Sequence, residues 1–141
     1  MATVLRLQIK NIIKKSQLSL TKNRKKVLRV FLTKNKPLST HDIQSLVGNI
    51  DRVTLFRILS AFEDKKIIHI IRLDNGQKLF ALCTQDCDES KHIHNHVHFQ
   101  CTKCDDVSCI SVDNFPQFQL PQYVINNVNI NINGLCINCN L

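Results

Sequence analysis

No stretch of about 18 apolar residues occurs in this 141-residue chain, which excludes a membrane-spanning helix. The N-terminus, Val4-Leu5-Arg6-Leu7-Gln8-Ile9-Lys10, is broken by charge and has no signal-peptide pattern. The expected location is therefore the reducing cytoplasm, where cysteines are thiols or ligands. Acidic residues are few, 11 against 19 Lys and Arg. None stands as an obvious general base beside the clustered histidines, which counts against a zinc-dependent hydrolase, the enzymatic alternative. Glycine and proline occur three times each, and no internal repeat is present.

The charge that is present is unevenly placed. Residues 1–82 hold 17 Lys/Arg against 5 Asp/Glu, and residues 83–141 hold 2 against 6. A basic half followed by an acidic, ligand-rich half suggests one lobe that meets a polyanion and another that senses something.

Residues 92–104 read His-Ile-His-Asn-His-Val-His-Phe-Gln-Cys-Thr-Lys-Cys, with four of the six histidines and two of the seven cysteines. In an extended strand, side chains two apart share a face, so His94, His96 and His98 project together at spacings of about 7 Å. Cys101 and Cys104 form a Cys-x-x-Cys pair, and Cys136 and Cys139 form another at the chain's end. One pair could be a redox couple. Two, separated by a strand-rich stretch, point to a structural zinc held by four thiolates. The histidine run, interleaved with Val97 and Phe99, reads as a dedicated metal site rather than a solvated polar tract. Cys109, in an apolar strand, reads as a small core residue.

Leu5, Ile9, Ile12 and Ile13 recur at helical spacing and predict a first amphipathic helix. Thr21 caps a second, carrying Val27, Leu28, Val30, Phe31 and Leu32, which Lys36-Pro37 breaks. Ser39 caps a third, to Val47, and Gly48-Asn49 turns the chain into a fourth from Asp51 to about Asp64. On this helix Leu55, Ile58, Leu59 and Phe62 share one face, the core face. Val53, Phe56, Arg57 and Ser60 lie on the other. Apolar side chains there can meet thymine methyls while the arginine reads guanine or grips phosphate. Residues 67–73 and 77–82 flank Asp74-Asn75-Gly76, a hairpin signal in which Asn-Gly supplies positive φ angles. His69, inside the first of these strands, reads as a structural histidine. Further strands are expected at about 96–101, 106–112 and 123–134, with residues 115–121 irregular or a single helical turn.

These motifs together resemble the ferric uptake regulator (Fur) family of metal-responsive bacterial transcription regulators, which includes zinc uptake regulators and peroxide sensors. Thr21, Arg24, Val27 and Leu28 match the family's Thr-x-x-Arg-x-x-Val-Leu. Thr54-Leu55-Phe56-Arg57-Ile58-Leu59 matches its recognition-helix Thr-Val-Tyr-Arg-x-Leu. Gly76 and Phe80 match the wing, and His96-x-His98-x-x-Cys101-x-x-Cys104 with Gly134-x-Cys136-x-x-Cys139 matches the sensor half.

The resemblance implies an α+β chain. Residues 1–82 would be a winged helix-turn-helix DNA-binding domain, 83–95 a hinge with candidate ligands, and 96–141 a small zinc-stabilised α/β dimerisation and metal-sensing domain. It implies a homodimer that reads a palindromic operator in double-stranded DNA through Arg57, Phe56, Val53, Thr54, Ser60 and Arg24. It also implies repression of metal-uptake genes when a co-repressor, Zn2+ or Fe2+, is bound. Structural Zn2+ would sit on Cys101, Cys104, Cys136 and Cys139. The regulatory ion would sit on His96 and His98, completed from Cys83, His94 and Cys87, with Asp86 and Glu89 as further candidates. Three departures stand out: Phe56 replaces the usual tyrosine, Ala81 a glutamate, and Lys36-Pro37 a histidine ligand. A thiolate in the regulatory set favours zinc over iron. An iron-based peroxide sensor of the same family needs more carboxylates than Ala81, Asn95 and Val97 provide. A metal-buffering protein with incidental basic charge would lack specific DNA binding. On this reading metal ties the two lobes together, and DNA must tighten metal binding by the factor by which metal tightens DNA binding.

Overall fold

A computed structural model describes residues 2–83, 96–126 and 128–141. They fall into two compact units, one ending in the described residues at Cys83 and the other beginning at His96. Among the described residues, no helix is long and apolar enough to cross a membrane.

The first unit has four helices and a hairpin. Helix α1 (Ala2–Lys15) buries Ile9 and Ile13, with Leu5 and Ile12 packed at the edge of the same core. Helix α2 (Lys22–Lys34) starts where the Thr21 hydroxyl accepts the Arg24 N–H, 3.2 Å away. It ends at Asn35, whose left-handed backbone (φ 49°) turns the chain out two residues before Pro37. Helix α3 (Thr40–Val47) opens with a capping box: the Ser39 hydroxyl takes the Asp42 N–H, and the Asp42 carboxylate takes the Ser39 N–H, each at 3.1 Å. Gly48, at φ 78°, makes the turn. Helix α4 (Arg52–Asp64) is capped by Asp51. Ile50 and Leu55, at hydrophobic-staple positions on either side of this cap, are both buried.

The core of this unit collects Val27, Leu28 and Phe31 from α2, Ile43 from α3, and Leu55, Ile58, Leu59 and Phe62 from α4. Burying each such side chain contributes roughly 1.5–3 kcal/mol. Strands β1 (Ile68–Arg72) and β2 (Lys78–Leu82) pair antiparallel, with His69 opposite Ala81. Leu38 adds a bridge to Phe80, exchanging hydrogen bonds of 2.8 and 2.7 Å, which ties the entry to α3 to the hairpin. This is a winged helix. The hairpin loop differs from the expected tight turn: of Asn75 and Gly76, only Gly76 (φ 86°) has positive φ. The bonds Gly76 N–H to Leu73 O and Leu73 N–H to Gln77 O instead fit a three-residue loop with glycine in its left-handed position.

In the second unit, β3 (His96–Cys101) runs between β4 (Val107–Ser111), antiparallel, and β5 (Asn131–Gly134), parallel. Strand β5 is shorter than the expected 123–134, because pairing begins only where the chain comes alongside His98. Upstream of it, prolines and repeated asparagines are poor strand formers. Residues 112–130 hold no regular element among those described. Gly134 gives Phe99 its room: a Cβ there would meet the ring at 3.3 Å. Only Val97, His98 and Cys101 are buried among the described residues here, while Ile110, Leu120, Tyr123, Val124, Ile132 and Ile137 are exposed.

Candidate metal centres and nucleic-acid interface

The four-cysteine cluster is built from two tight turns. After β3, Cys101 N–H donates to Asp106 O and Asp105 N–H to Cys101 O, with Asp105 at φ 61°. At the chain's end, Cys139 N–H and Asn140 N–H both donate to Cys136 O. The sulfurs of Cys101, Cys104, Cys136 and Cys139 all lie within 4.8 Å of one another, and Cys104 and Cys136 are 3.9 Å apart. Four thiolates at about 2.3 Å from a tetrahedral ion stand about 3.8 Å from each other, so the arrangement fits a metal.

Its electrostatics point the same way. Backbone N–H groups of Cys104 and Cys136 hold the Cys101 thiol down to about 6, the second reaching its sulfur at 3.4 Å. Cys139 is pushed up to about 12, chiefly by the facing Cys136 sulfur, with burial and the other two sulfurs adding to it. Four thiols this close cannot all ionise without a cation among them.

Two thiol–imidazole pairs lie elsewhere. In the second unit, His98 is buried on β3, directly opposite Cys109 on β4. Their ligand atoms lie within 4.8 Å. Nδ1 of His98 is 3.3 Å from Oδ1 of Asn131. An amide oxygen can only accept, so the ring's proton is held on Nδ1 and the lone pair that could ligate lies on Nε2. Burial lowers the His98 pKa and Asn131 opposes this, so the neutral ring that a ligand requires is favoured. Cys109, expected to be a core residue, is instead exposed on β4, and partial desolvation raises its thiol to about 11.

In the first unit, the Cys83 sulfur lies 3.6 Å from Nδ1 of His69. His69 opposite Ala81 makes Cys83, just beyond β2, its diagonal neighbour on the same face. Sequence reasoning singled out Cys83 but gave His69 a structural role; the hairpin register was the signal that connects them. His96 opens β3 opposite Ser111. His94 and Cys87 lie outside the described residues.

On α4 the expected division of faces is present. Leu55, Ile58, Leu59 and Phe62 are buried, whereas Val53, Phe56, Arg57 and Ser60 are exposed. Asp51 accepts both the Thr54 N–H (3.1 Å) and the Thr54 hydroxyl, so Thr54 is engaged in the cap. Those two bonds, with a smaller contribution from the Arg57 charge, hold the Asp51 carboxyl below its usual value. Arg24 donates from one nitrogen to the Ser19 carbonyl (2.8 Å) and hydroxyl (2.7 Å), bracing the α1–α2 turn. Arg52 was not singled out in the sequence: its guanidinium lies 5.5 Å from the centre of the Phe56 ring.

Residues 15–137 match the model of the ferric uptake regulator family. The ferric uptake regulation protein of Staphylococcus aureus is 30% identical over 134 residues, covering 91% of this chain and 93% of that one. Its counterpart in Staphylococcus epidermidis is 29% identical, with 91% of each chain covered. Among solved structures, the Vibrio cholerae ferric uptake regulator superposes with a TM-score of 0.62 at 22% identity, over 89% of this chain and 98% of that one. A zinc uptake regulator complexed with zinc and DNA gives 0.64 at 18% identity, over 98% and 93%. At these identities the structures speak for the fold, an N-terminal winged helix followed by a small sheet domain. Sequence match and fold agree, and the chain belongs to the ferric uptake regulator family of metal-responsive transcriptional regulators.

Proposed function

We propose that this regulator is a repressor of metal-uptake genes that answers to zinc. The observation that carries the reading is the Cys83 sulfur 3.6 Å from His69 Nδ1, at the end of the wing strand. A thiolate with an imidazole is a softer donor pair than the carboxylate–imidazole sets that suit ferrous iron, and it favours zinc. His98 and Cys109 offer the same two donor types in the second unit. When bound, the ion supplies charge and a fixed ligand geometry. The chain's own part is to present neutral imidazoles and to release thiol protons as the ligands engage.

The four-cysteine cluster is assigned to structural zinc, which stabilises a unit with only a small apolar core. The protein binds double-stranded DNA as a homodimer. The exposed apolar residues Ile110, Leu120, Tyr123, Val124 and Ile132 support self-association through the second unit. The exposed face of α4 supports major-groove entry, with two copies spaced about 34 Å apart on a palindromic site. We place it in the cytoplasm, where DNA is at hand and thiols stay reduced.

Binding of the purified dimer to duplex DNA, titrated anaerobically with Zn2+ and separately with Fe2+ while structural zinc is retained, tests this. Zinc should tighten binding at the lower free-metal concentration. Tightening by iron alone would overturn the assignment.

A further inference from the structure

Arg24, Arg52 and Arg57 of the winged helix differ in their surroundings. Arg24 is engaged by Ser19. Arg57 lies within the field of Asp51. Arg52, the first residue of α4, lies against Phe56 one turn further on, its guanidinium carbon 5.5 Å from the ring centre. Both are exposed. An arginine within about 6 Å of an aromatic centroid is held by the ring's quadrupole, and its flat shape lets one face stack while the edge N–H groups stay free to donate.

We infer that Arg52 is a base-reading residue, held by Phe56, and that the pair reads a guanine next to a thymine in the operator half-site. Arg52 takes the guanine O6 and N7, and Phe56 takes the thymine methyl. The inference rests on the DNA-binding reading above. Residues in the first turn of a recognition helix meet base edges in the major groove, and a guanidinium meets guanine there in bidentate fashion. Phe56 has no hydroxyl, so its contribution to a base is apolar, and the thymine methyl is the apolar group the major groove offers. Restricting Arg52 before DNA arrives reduces the rotamer freedom lost on binding.

The test uses the full-length zinc-loaded dimer and the duplex it selects from a randomised library. Each guanine in a half-site is replaced in turn by 7-deazaguanine, which lacks N7, and each thymine by uracil, which lacks the methyl. At one guanine the wild type should lose about 5- to 10-fold in affinity, the lower part of the range for a bidentate contact, because 7-deazaguanine removes N7 and keeps O6. That loss should vanish in Arg52→Ala, while sensitivity at any guanine read by Arg57 persists. Arg52→Lys, which keeps the charge but not the planar fork that stacks on Phe56, should bind the selected duplex more weakly than the wild type without a change in salt dependence. Sensitivity to uracil at the neighbouring position should vanish in Phe56→Ala. If Arg52→Ala instead weakens all duplexes equally and lowers the salt dependence by about one charge, Arg52 is a phosphate contact and the inference is wrong. If the library yields no preferred duplex for the wild type, the DNA-binding reading itself fails, and the inference with it.

Discussion

Oδ1 of Asn131 lies 3.3 Å from Nδ1 of His98, across a parallel pairing of strands more than thirty residues apart in the chain. The contact fixes which imidazole nitrogen carries the proton. Partners of this kind typically alter metal affinity by about 10- to 100-fold. Asn131→Ala should therefore weaken regulatory zinc binding by that order while leaving the four-thiol zinc in place. Competition against a chelator of known affinity reads both sites. An unchanged regulatory affinity would show that the tautomer is set elsewhere.

The two faces of α4 should separate stability from DNA binding. Phe62 is fully buried, and truncating a buried phenylalanine costs about 3–5 kcal/mol. Val53 is 59% exposed, and surface truncations usually stay within about 0.5 kcal/mol. In denaturant unfolding, Phe62→Ala should shift the midpoint strongly and Val53→Ala hardly at all. Val53→Ala should still weaken DNA binding, since its exposed methyls belong to the face proposed to enter the groove. A strongly destabilised Val53→Ala would instead mean that the exposed face serves packing.

The wing pair calls for a double-mutant cycle. If His69 and Cys83 act on one ion, His69→Ala and Cys83→Ser should each abolish most of the zinc response in DNA binding. The double variant should then be little worse than either single one, because removing one ligand already undoes the work of the other. Fully additive losses would mean that the two residues serve different functions. Thermal melts of both variants with structural zinc retained separate this from a failure to fold.

How far the sequence could be read depended on the range of each contact. Thr21 and Ser39 were legible as caps because a cap is decided within three residues, and both accept the N–H expected of them, whereas Asp51, read as the start of the fourth helix, is its cap. The α4 faces were legible from periodicity alone. Arg52 and Phe56 are also four apart, so that pair was open to the same reasoning and was missed. The partnership of His69 with Cys83 depends on the hairpin register, which the three-residue loop sets. Asp-Asn-Gly signals a hairpin without fixing that loop. The link from His98 to Asn131, and the placing of Cys109 opposite His98, depend on strand pairings that no local pattern encodes. The four-cysteine cluster was legible despite its span, since the paired Cys-x-x-Cys spacing is set by the geometry of one tetrahedral ion.

Acid should separate the helix cap from the rest of the fold. The Asp51 carboxyl is held below its ordinary value of 3.8 mainly by its side-chain bond with Thr54. A carboxylate whose folded pKa is depressed binds protons more readily in the unfolded chain. Its contribution is fully present above about 3.8 and falls away as pH drops through the lower folded value. Thermal melts of the wild type and Asp51→Ala should therefore differ at neutral pH and converge in strong acid. Asp51→Asn should fall between them at neutral pH, because the amide oxygen still accepts the Thr54 N–H but carries no charge to be lost. A gap between wild type and Asp51→Ala that persists at the lowest pH would mean that Asp51 acts through something other than its charged, hydrogen-bonded form.

The four-thiol cluster predicts a failure confined to one unit. The second unit buries only Val97, His98 and Cys101 among its described residues, whereas the first has a core drawn from four helices and a hairpin. Without an ion, the sulfurs of Cys101, Cys104, Cys136 and Cys139 repel as they ionise, and the backbone bonds that favour a thiolate at Cys101 have no cation to complement them. Cys136→Ser, or prolonged chelation under reducing conditions, should therefore release structural zinc and unfold the sheet of β3, β4 and β5. The winged helix should keep its helical circular dichroism and its melting transition. Dimerisation should be lost with the sheet, because the exposed apolar residues proposed to form the contact belong to that unit. Analytical ultracentrifugation and hydrogen exchange on the same sample would show both effects: a monomer, fast exchange at Val97 and Phe99, and retained protection at Leu28 and Leu59. Retained protection at Phe99 in the zinc-free protein would show that the sheet stands on its own core and that the four cysteines are not its structural anchor.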